Sequence, residues 1–443
     1  MSTYGTTEEP MVLKLTAAEQ DLLQSDRPGY GSRSKIEVGF NLVNATCGAG
    51  IIGLPFAVYQ AGFFPGIILS IIVAILSQLG LYMLIVAGQR VEIYKYAVLV
   101  EYLMGRPGYH FLNFMIFVQA AGSCVSYFIL VGDTIPVLLE LYFPQYPIHR
   151  SITVSAIAII FVLPLNTARS IGSLARWSIV SVLCLPVILL TLLIRAPTYA
   201  PEHTAPIGWQ TTDMFGAVGI MAFSFACSQV SFNNYLSLRD QSSRGWAIAI
   251  SIAGVLSWSL SMLFAILGYL SFGTDVQSNL FLNFAPDDAI ANIGRLTLGI
   301  SMILTIPMAF YPTREAVQKS LGLETQTRQP TQVEHYILTV VLFLGITAIG
   351  ISIRSLAKVY SVIGGFSAST LAYVLPAVAY LATKKPCESD ETLKAPLISS
   401  PSSSQTSLTQ RARPSVLLDI AAVILILWGT ILMLYSISIV FTS

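Results

Sequence analysis

The chain has 443 residues, of which 54% are hydrophobic and only 11% are charged, and its formal net charge is +1. This composition is typical of an integral membrane protein. It contains no cluster of Lys and Arg large enough for nucleic acid, so we expect a lipid bilayer as a partner and no nucleic acid.

The chain opens with polar residues 1–35, which lack the charged start, short apolar core and cleavage site of a signal peptide. They are predicted to form a disordered cytoplasmic tail. Apolar runs of roughly 18 to 27 residues follow, and each is long enough to cross a hydrocarbon core about 30 Å thick. The sequence therefore predicts an all-α integral membrane protein with eleven transmembrane helices. They lie near residues 36–60, 63–87, 110–136, 151–168, 173–194, 214–236, 246–272, 289–311, 334–353, 357–381 and 416–440.

One long polar loop, residues 382–415, is rich in Ser, Pro and Thr and is predicted to be disordered and cytoplasmic. It separates a helical core at 36–381 from an eleventh helix and short carboxyl terminus at 416–443. With the amino terminus placed in the cytoplasm, most Lys and Arg residues fall in cytoplasmic segments, as the positive-inside rule requires. The odd number of spans then puts the carboxyl terminus on the opposite side.

The middle of the first apolar run is crowded with helix-weakening residues, namely Gly48, Gly50, Gly53 and Pro55. A lipid-facing helix cannot leave backbone groups unsatisfied, so irregular backbone at this depth is tolerated where it lines a cavity or is buried in protein. Ends of half-helices at such breaks bind ions and charged substrate groups in many transporters. We therefore predict that residues 46–50 form the unwound centre of a binding site.

A second interruption is expected in the sixth run, since transporters often consist of two inverted repeats of five helices with a broken helix at the corresponding place in each. The centre of this run reads FSFACSQVSFNN, where small and hydroxyl residues replace aliphatic ones. Such residues also serve ordinary helix packing in membranes. From the residues alone, packing and cavity lining both remain open for this segment.

Three motifs are similar to those of the amino acid/auxin permease family: FNLVNATCGAGIIGLPFA at 40–57, VGDTIP at 131–136 and LTIPMAFYPTRE at 304–315. The sodium-coupled neutral amino acid transporters and the fungal vacuolar amino acid transporters are the branches that the chain resembles. The likeness runs over residues 36–381. It implies a LeuT-like fold, in which ten core helices form a 5+5 inverted repeat and an eleventh helix is added.

The resemblance also implies where ligands bind. In that family the amino and carboxyl groups of the substrate bind at the breaks of helices one and six. Some relatives hold sodium between an Asn of helix one and a Thr of helix eight, which correspond to Asn44 and Thr305 and offer neutral oxygen ligands for a hard cation. The substrate-binding positions that match here are Thr46, Cys47, Gly48, Ala49, Gly50, Phe223, Ser224 and Phe225.

Ionisable side chains within a membrane are functional candidates, and Asp133 lies well inside the third run. It is either a proton carrier for ion coupling or a satisfied carboxylate near the outer surface. Arg295, near the start of the eighth run, is expected to extend its charged end to the outer face.

The sequence shows neither paired intramembrane carboxylates nor an H-E-x-x-H motif, so an enzyme is not expected. We predict a monomeric secondary active transporter that moves amino acids by alternating access, with H⁺ or Na⁺ as coupling ion and no cofactor. The short loop 195–213 lacks the cysteines and glycosylation sites that a resemblance to the plasma-membrane branch would imply, which favours a vacuolar or other endomembrane. Proton coupling is the expectation for such a transporter. Sodium-coupled plasma-membrane transport and a non-transporting amino acid sensor on the same fold are the alternatives.

Overall fold

The computed structural model describes residues 27–167, 171–324, 328, 330–384 and 416–442. In this part of the chain the secondary structure is helical apart from one isolated β-bridge. The helices, numbered in chain order, are α1 Lys35–Thr46, α2 Gly50–Ala61, α3 Phe63–Val91, α4 Tyr96–Tyr142, α5 Arg150–Asn166, α6 Ile171–Tyr199, α7 Met214–Phe225, α8 Ser231–Ser237, α9 Ser243–Phe272, α10 Ala289–Ser320, α11 Gln332–Ser352, α12 Leu356–Ala382 and α13 Val416–Thr442.

The prediction of an all-helical membrane protein is confirmed. Nine described helical segments are long and apolar enough to cross a membrane, and α1 with α2 makes a tenth span bent by 68°. The predicted fourth span corresponds to α5. It is shorter than the other membrane spans and contains a π-helical turn, Ala158–Val162. At 1.5 Å per residue α5 is about 25 Å long, less than a hydrocarbon core of about 30 Å. The exact count of eleven spans therefore stays a prediction.

The last residues of the predicted tail, just before residue 36, contact the rest of the protein. The Ser34 hydroxyl accepts a hydrogen bond from the Glu37 N–H, and the Glu37 carboxylate accepts one from the Ser34 N–H, so α1 starts with a capping box. The Arg33 N–H donates to the Ser237 carbonyl, and the Arg33 carbonyl accepts from the Arg239 N–H, both at 2.9 Å. The segment before α1 is thus joined to the loop after α8. Residues 1–26 of the predicted tail and 385–415 of the predicted loop lie outside the described residues.

The two interrupted helices lie against each other at the centre of the molecule, as a 5+5 inverted repeat requires. The second half of the first, α2, packs on α7 and α9, while α7 also packs on α12. The α7 and α12 backbones touch, because a Cβ at Gly364 would lie 1.8 Å from the Gly219 carbonyl oxygen. Small residues allow such close approach between membrane helices. Helix α10 packs mainly on α4 and α6 and lies across from the interrupted helices.

Candidate functional site

The first break lies at residues 47–49, between α1 and α2. Cys47 leaves the helical conformation, with φ −79° and ψ 69°, and the Gly48 N–H turns back to the Thr46 carbonyl at 2.9 Å. The Ile51 and Ile52 N–H groups donate to the Gly48 and Ala49 carbonyls. Among the described residues, the end groups left without a backbone partner are therefore the Asn44 and Ala45 carbonyls of α1 and the Ala49 and Gly50 N–H groups at the start of α2. The negative end of one helix dipole and the positive end of another meet at this gap.

The second break follows α7. Helix α7 ends at Phe225, Ala226 is extended with φ −81° and ψ 120°, and a 3₁₀ turn at Ser228–Val230 leads into α8. The Ser231 hydroxyl donates to the Ser228 carbonyl at 2.7 Å and so supports the turn. The polar composition of this segment thus accompanies a real interruption of the helix.

The two breaks are in direct contact. A Cβ at Gly50 would lie 2.7 Å from Ser224 Oγ and 2.9 Å from Ser224 Cα, so only glycine fits there without a shift of backbone. A Cβ at Gly48 would meet nothing within 4 Å. The Tyr360 hydroxyl donates to the Ala49 carbonyl at 2.9 Å, and the Tyr360 ring stacks on Phe223 with centroids 4.6 Å apart. Helix α12 therefore joins both breaks into one unit.

A cavity of about 560 Å³ adjoins both breaks. This volume suits a small-molecule ligand. Phe225 is buried but does not line the cavity. The lining includes most of the residues implied by the family resemblance, namely Asn44, Thr46, Cys47, Gly48, Ala49, Gly50, Phe223, Ser224 and Thr305.

The cavity opens towards one end of the molecule. Its lining runs from the breaks down to Arg33, which precedes α1, whereas on α10 it starts only at Leu298, well inside the helix, and ends at Pro312. We call the end at which α1 starts the open end, and the end at which α10 starts the closed end. Among the described residues of the lining, Arg33 is the single charged one, and those next to the breaks are neutral.

Several polar lining residues escaped the sequence analysis. Gln119 and Ser123 lie on α4, and Ser181 and Ser301 lie on α6 and α10. Gln119 and Ser123 are four residues apart and share one helix face. A polar pair at that spacing within an apolar run is the signal that could have identified them.

The two predicted sodium ligands line the same cavity, although among the described residues no hydrogen bond joins Asn44 to Thr305. The Thr305 hydroxyl donates to the Ser301 carbonyl at 2.7 Å and also contacts the Ser181 hydroxyl. The Ser181 and Ser301 hydroxyls are 2.8 Å apart. The resulting group of neutral oxygens has the chemistry that a hard cation requires.

Asp133 lies outside the cavity, towards the closed end. Its carboxylate is 3.6 Å from Arg150 Nε and accepts a hydrogen bond from Asn279 Nδ2 at 3.3 Å. Arg150 in turn donates to the Ile351 carbonyl at 2.9 Å. Asp133 is thus a paired carboxylate that connects α4, α5 and the loop before α10.

Comparison with known proteins gives a consistent result. The model of the family described as transmembrane amino acid transporter protein matches residues 31–395. A Danio rerio protein named for sodium-coupled neutral amino acid transporter 11 is 30% identical over 372 residues, which cover 81% of this chain and 82% of that protein. Vacuolar amino acid transporter 2 of Saccharomyces cerevisiae is 27% identical over 366 residues, which cover 78% of this chain and 75% of that protein.

Among solved structures, the chain is similar to a Na⁺-coupled sialic acid symporter in a substrate-bound outward-open state. The TM-score is 0.49 and the identity 11%, over 83% of this chain and 84% of that chain.

Proposed function

Since this chain belongs to the transmembrane amino acid transporter family, a family of transporters and not of enzymes, we propose that it carries neutral amino acids by secondary active transport with alternating access. The apposition of the two breaks on the cavity is the observation that carries this proposal. The chain is a multi-pass integral membrane protein, and its substrate is a small amino acid held between the two interrupted helices.

The chemistry of the breaks suits the groups that all amino acids share. The N–H groups at the start of α2 bind the α-carboxylate, and the free carbonyls at the ends of α1 and α7 bind the α-ammonium. None of the described lining residues beside the breaks has a charged side chain that could balance a charge on the rest of the substrate. An amino acid with an uncharged side chain therefore enters at the lowest desolvation cost.

Alternating access requires a site that is open to one side at a time. The cavity reaches the open end at Arg33 and stops short of the closed end. With the amino terminus in the cytoplasm, as we propose from the distribution of Lys and Arg, the described state is inward-facing. Protease protection of an epitope tag at residue 1, in sealed vesicles of known orientation, tests this topology.

We propose proton coupling at a vacuolar or other endomembrane, because the Saccharomyces cerevisiae relative is named as a vacuolar amino acid transporter. Sodium coupling through Asn44 and Thr305 is the alternative, supported by the neutral oxygens around Ser181. The position of a fluorescent fusion in cells tests the compartment.

Uptake into proteoliposomes tests function and coupling together. A panel of labelled neutral amino acids is offered with a pH gradient and a sodium gradient imposed separately. We expect uptake that follows the pH gradient alone. Uptake driven by sodium would replace proton coupling by the alternative, and ligand binding without uptake under either gradient would favour a sensor.

Two glycine variants test the placement of the site. Gly50→Val would press its side chain against the Ser224 backbone, so we expect uptake to be abolished. Gly345→Val, on α11 and outside the cavity lining, has nothing within 4 Å of its Cβ position and should retain the uptake. Transport that survives in Gly50→Val would remove the breaks from the mechanism.

A further inference from the structure

The Gln119 side chain is fixed at one end by a residue outside the cavity. Gln119, only 9% exposed, lies on α4 and lines the cavity. Its Oε1 accepts a hydrogen bond from the Ser367 hydroxyl at 2.7 Å, and the same hydroxyl lies 2.9 Å from the Ile363 carbonyl. Ser367 is fully buried on the π-helical turn Gly364–Ala368 of α12. A side chain held in this way keeps its orientation when a ligand enters, which lowers the entropy cost of binding.

The other end of the amide is unused. No described residue accepts a hydrogen bond from Gln119 Nε2, and this nitrogen is not among the enclosed polar atoms that lack a partner. It is therefore accessible from the cavity that the residue lines. The neighbouring hydroxyl on the same helix face, that of Ser123, donates to the Gln119 backbone carbonyl at 2.8 Å. Gln119 thus presents an oriented N–H donor to a largely buried space.

We propose that Gln119 determines specificity within this site, a proposal that rests on the function proposed above. Its Nε2 donates to a hydrogen-bond acceptor on the substrate side chain, so the site prefers neutral amino acids with an amide or hydroxyl group over aliphatic ones of similar shape. A donor that an aliphatic side chain covers but cannot satisfy loses its bond to water without replacement. Sites built around such a donor reject the analogue that lacks the partner.

Asparagine and leucine are the matched ligands, because their side chains have nearly the same shape. Ligand-induced thermal stabilisation of the purified full-length protein, titrated with each, gives a ratio of dissociation constants. We expect wild type to bind asparagine about tenfold more tightly than leucine, the size of one neutral hydrogen bond. Gln119→Leu should bring this ratio to one or below. Ser367→Ala, which releases the anchored end, should reduce the ratio by a smaller factor.

Two further variants separate specificity from general damage. Gln78→Leu removes a glutamine from α3 that does not line the cavity, and it should keep the wild-type ratio. Gln119→Glu places a negative charge at the same point and should shift preference towards lysine. If Gln119→Leu cannot be purified, the ratios of dissociation constants measured for Gln119→Glu and Ser367→Ala still test the role of Gln119.

The binding assay needs no flux, so it distinguishes the two proposals. Equal binding of asparagine and leucine by wild type, or an unchanged ratio in Gln119→Leu, would overturn the role of Gln119 alone. Binding with the expected ratios but without uptake would overturn transport and support the subsite. A wild type stabilised by no amino acid would overturn both.

Discussion

At the closed end, where α10 starts, a buried guanidinium is surrounded by carbonyl groups, whereas the side-chain contacts at the start of α1, at the open end, are exposed. Arg295 is 2% exposed and contacts the carbonyls of Phe281, Phe284 and Ala285 and the side chain of Asn292. These bonds attach the loop that precedes α10 to the first turns of α10 itself. The closed end is therefore sealed by desolvated, charge-assisted hydrogen bonds, which are stronger than neutral ones.

The start of α1, at the open end, is held by exposed side-chain contacts. Lys35 and Asp240 form an ion pair at 2.7 Å, with side chains 35% and 47% exposed. Arg239 donates to the Ser32 carbonyl at 3.1 Å, also in an exposed position. Water and salt weaken such contacts. This difference indicates that the start of α1 can rearrange at lower cost than the start of α10.

Loss of the buried guanidinium should have the largest effect on stability. In Arg295→Met the carbonyls around it lose their donors while they remain buried, and we expect a loss of about 3–5 kcal/mol in the free energy of unfolding. Thermal unfolding of the purified protein measures this loss. Arg244→Met, which removes an exposed Arg near the start of α9, is the control and should change stability by less than about 0.5 kcal/mol. Equal effects of the two variants would contradict the comparison.

The sequence analysis identified Arg295 as a residue of interest, but its prediction for the position of the guanidinium was wrong. It was expected to extend to the outer face, because long cationic side chains near helix ends usually do so. The side chain instead turns to loop carbonyls at residues 281–285. Which carbonyls remain without a backbone partner depends on the course of the loop, and a hydropathy pattern does not contain that information.

The second prediction concerns Asp288, which caps α10 at the closed end. Burial acts to raise its pKa, but the Ala291 N–H and the Arg195 guanidinium, 2.6 Å away, outweigh burial and hold the pKa below its usual value. A lowered pKa adds stability above the unfolded value, about 3.9, and that stability is lost as the pH falls through the folded value. Asp288→Asn should therefore cost about 1–3 kcal/mol at pH 7.

The free energy of unfolding, measured at two pH values, tests whether the charged Asp288 carboxylate stabilises the folded state. The difference between wild type and Asp288→Asn should shrink between pH 7 and pH 3, because wild type loses the charged carboxylate as well. A difference that grows on acidification would show that the carboxylate is not stabilised in the folded state. The variant Asp287→Asn, which changes an exposed carboxylate in the same loop, is the matched control.

The candidate site was predictable on one side of the cavity and not on the other. The glycines around Gly50 disrupt a helix by their own conformational freedom, so the first break is visible in the sequence. Polar residues such as Gln119 and Ser181 are a weaker signal than the glycines, because they also occur in ordinary helix packing. Only the packing of α4, α6 and α10 around the breaks gives them a common cavity. The contact between Gly50 and Ser224 likewise joins residues far apart in the chain.

The smallest effect is expected at the open end. Lys35→Ala removes an ion pair that is solvated on both sides, so the free energy of unfolding should fall by no more than about 1 kcal/mol. High salt should reduce even this difference, since exposed charges are screened. Thermal unfolding of wild type and Lys35→Ala in low and high salt measures both effects, with Asp240→Asn as the matched variant from the other side of the pair. A loss as large as that of Arg295→Met would mean that the open end is held as firmly as the closed end, and α1 would then not be the element that moves at low cost.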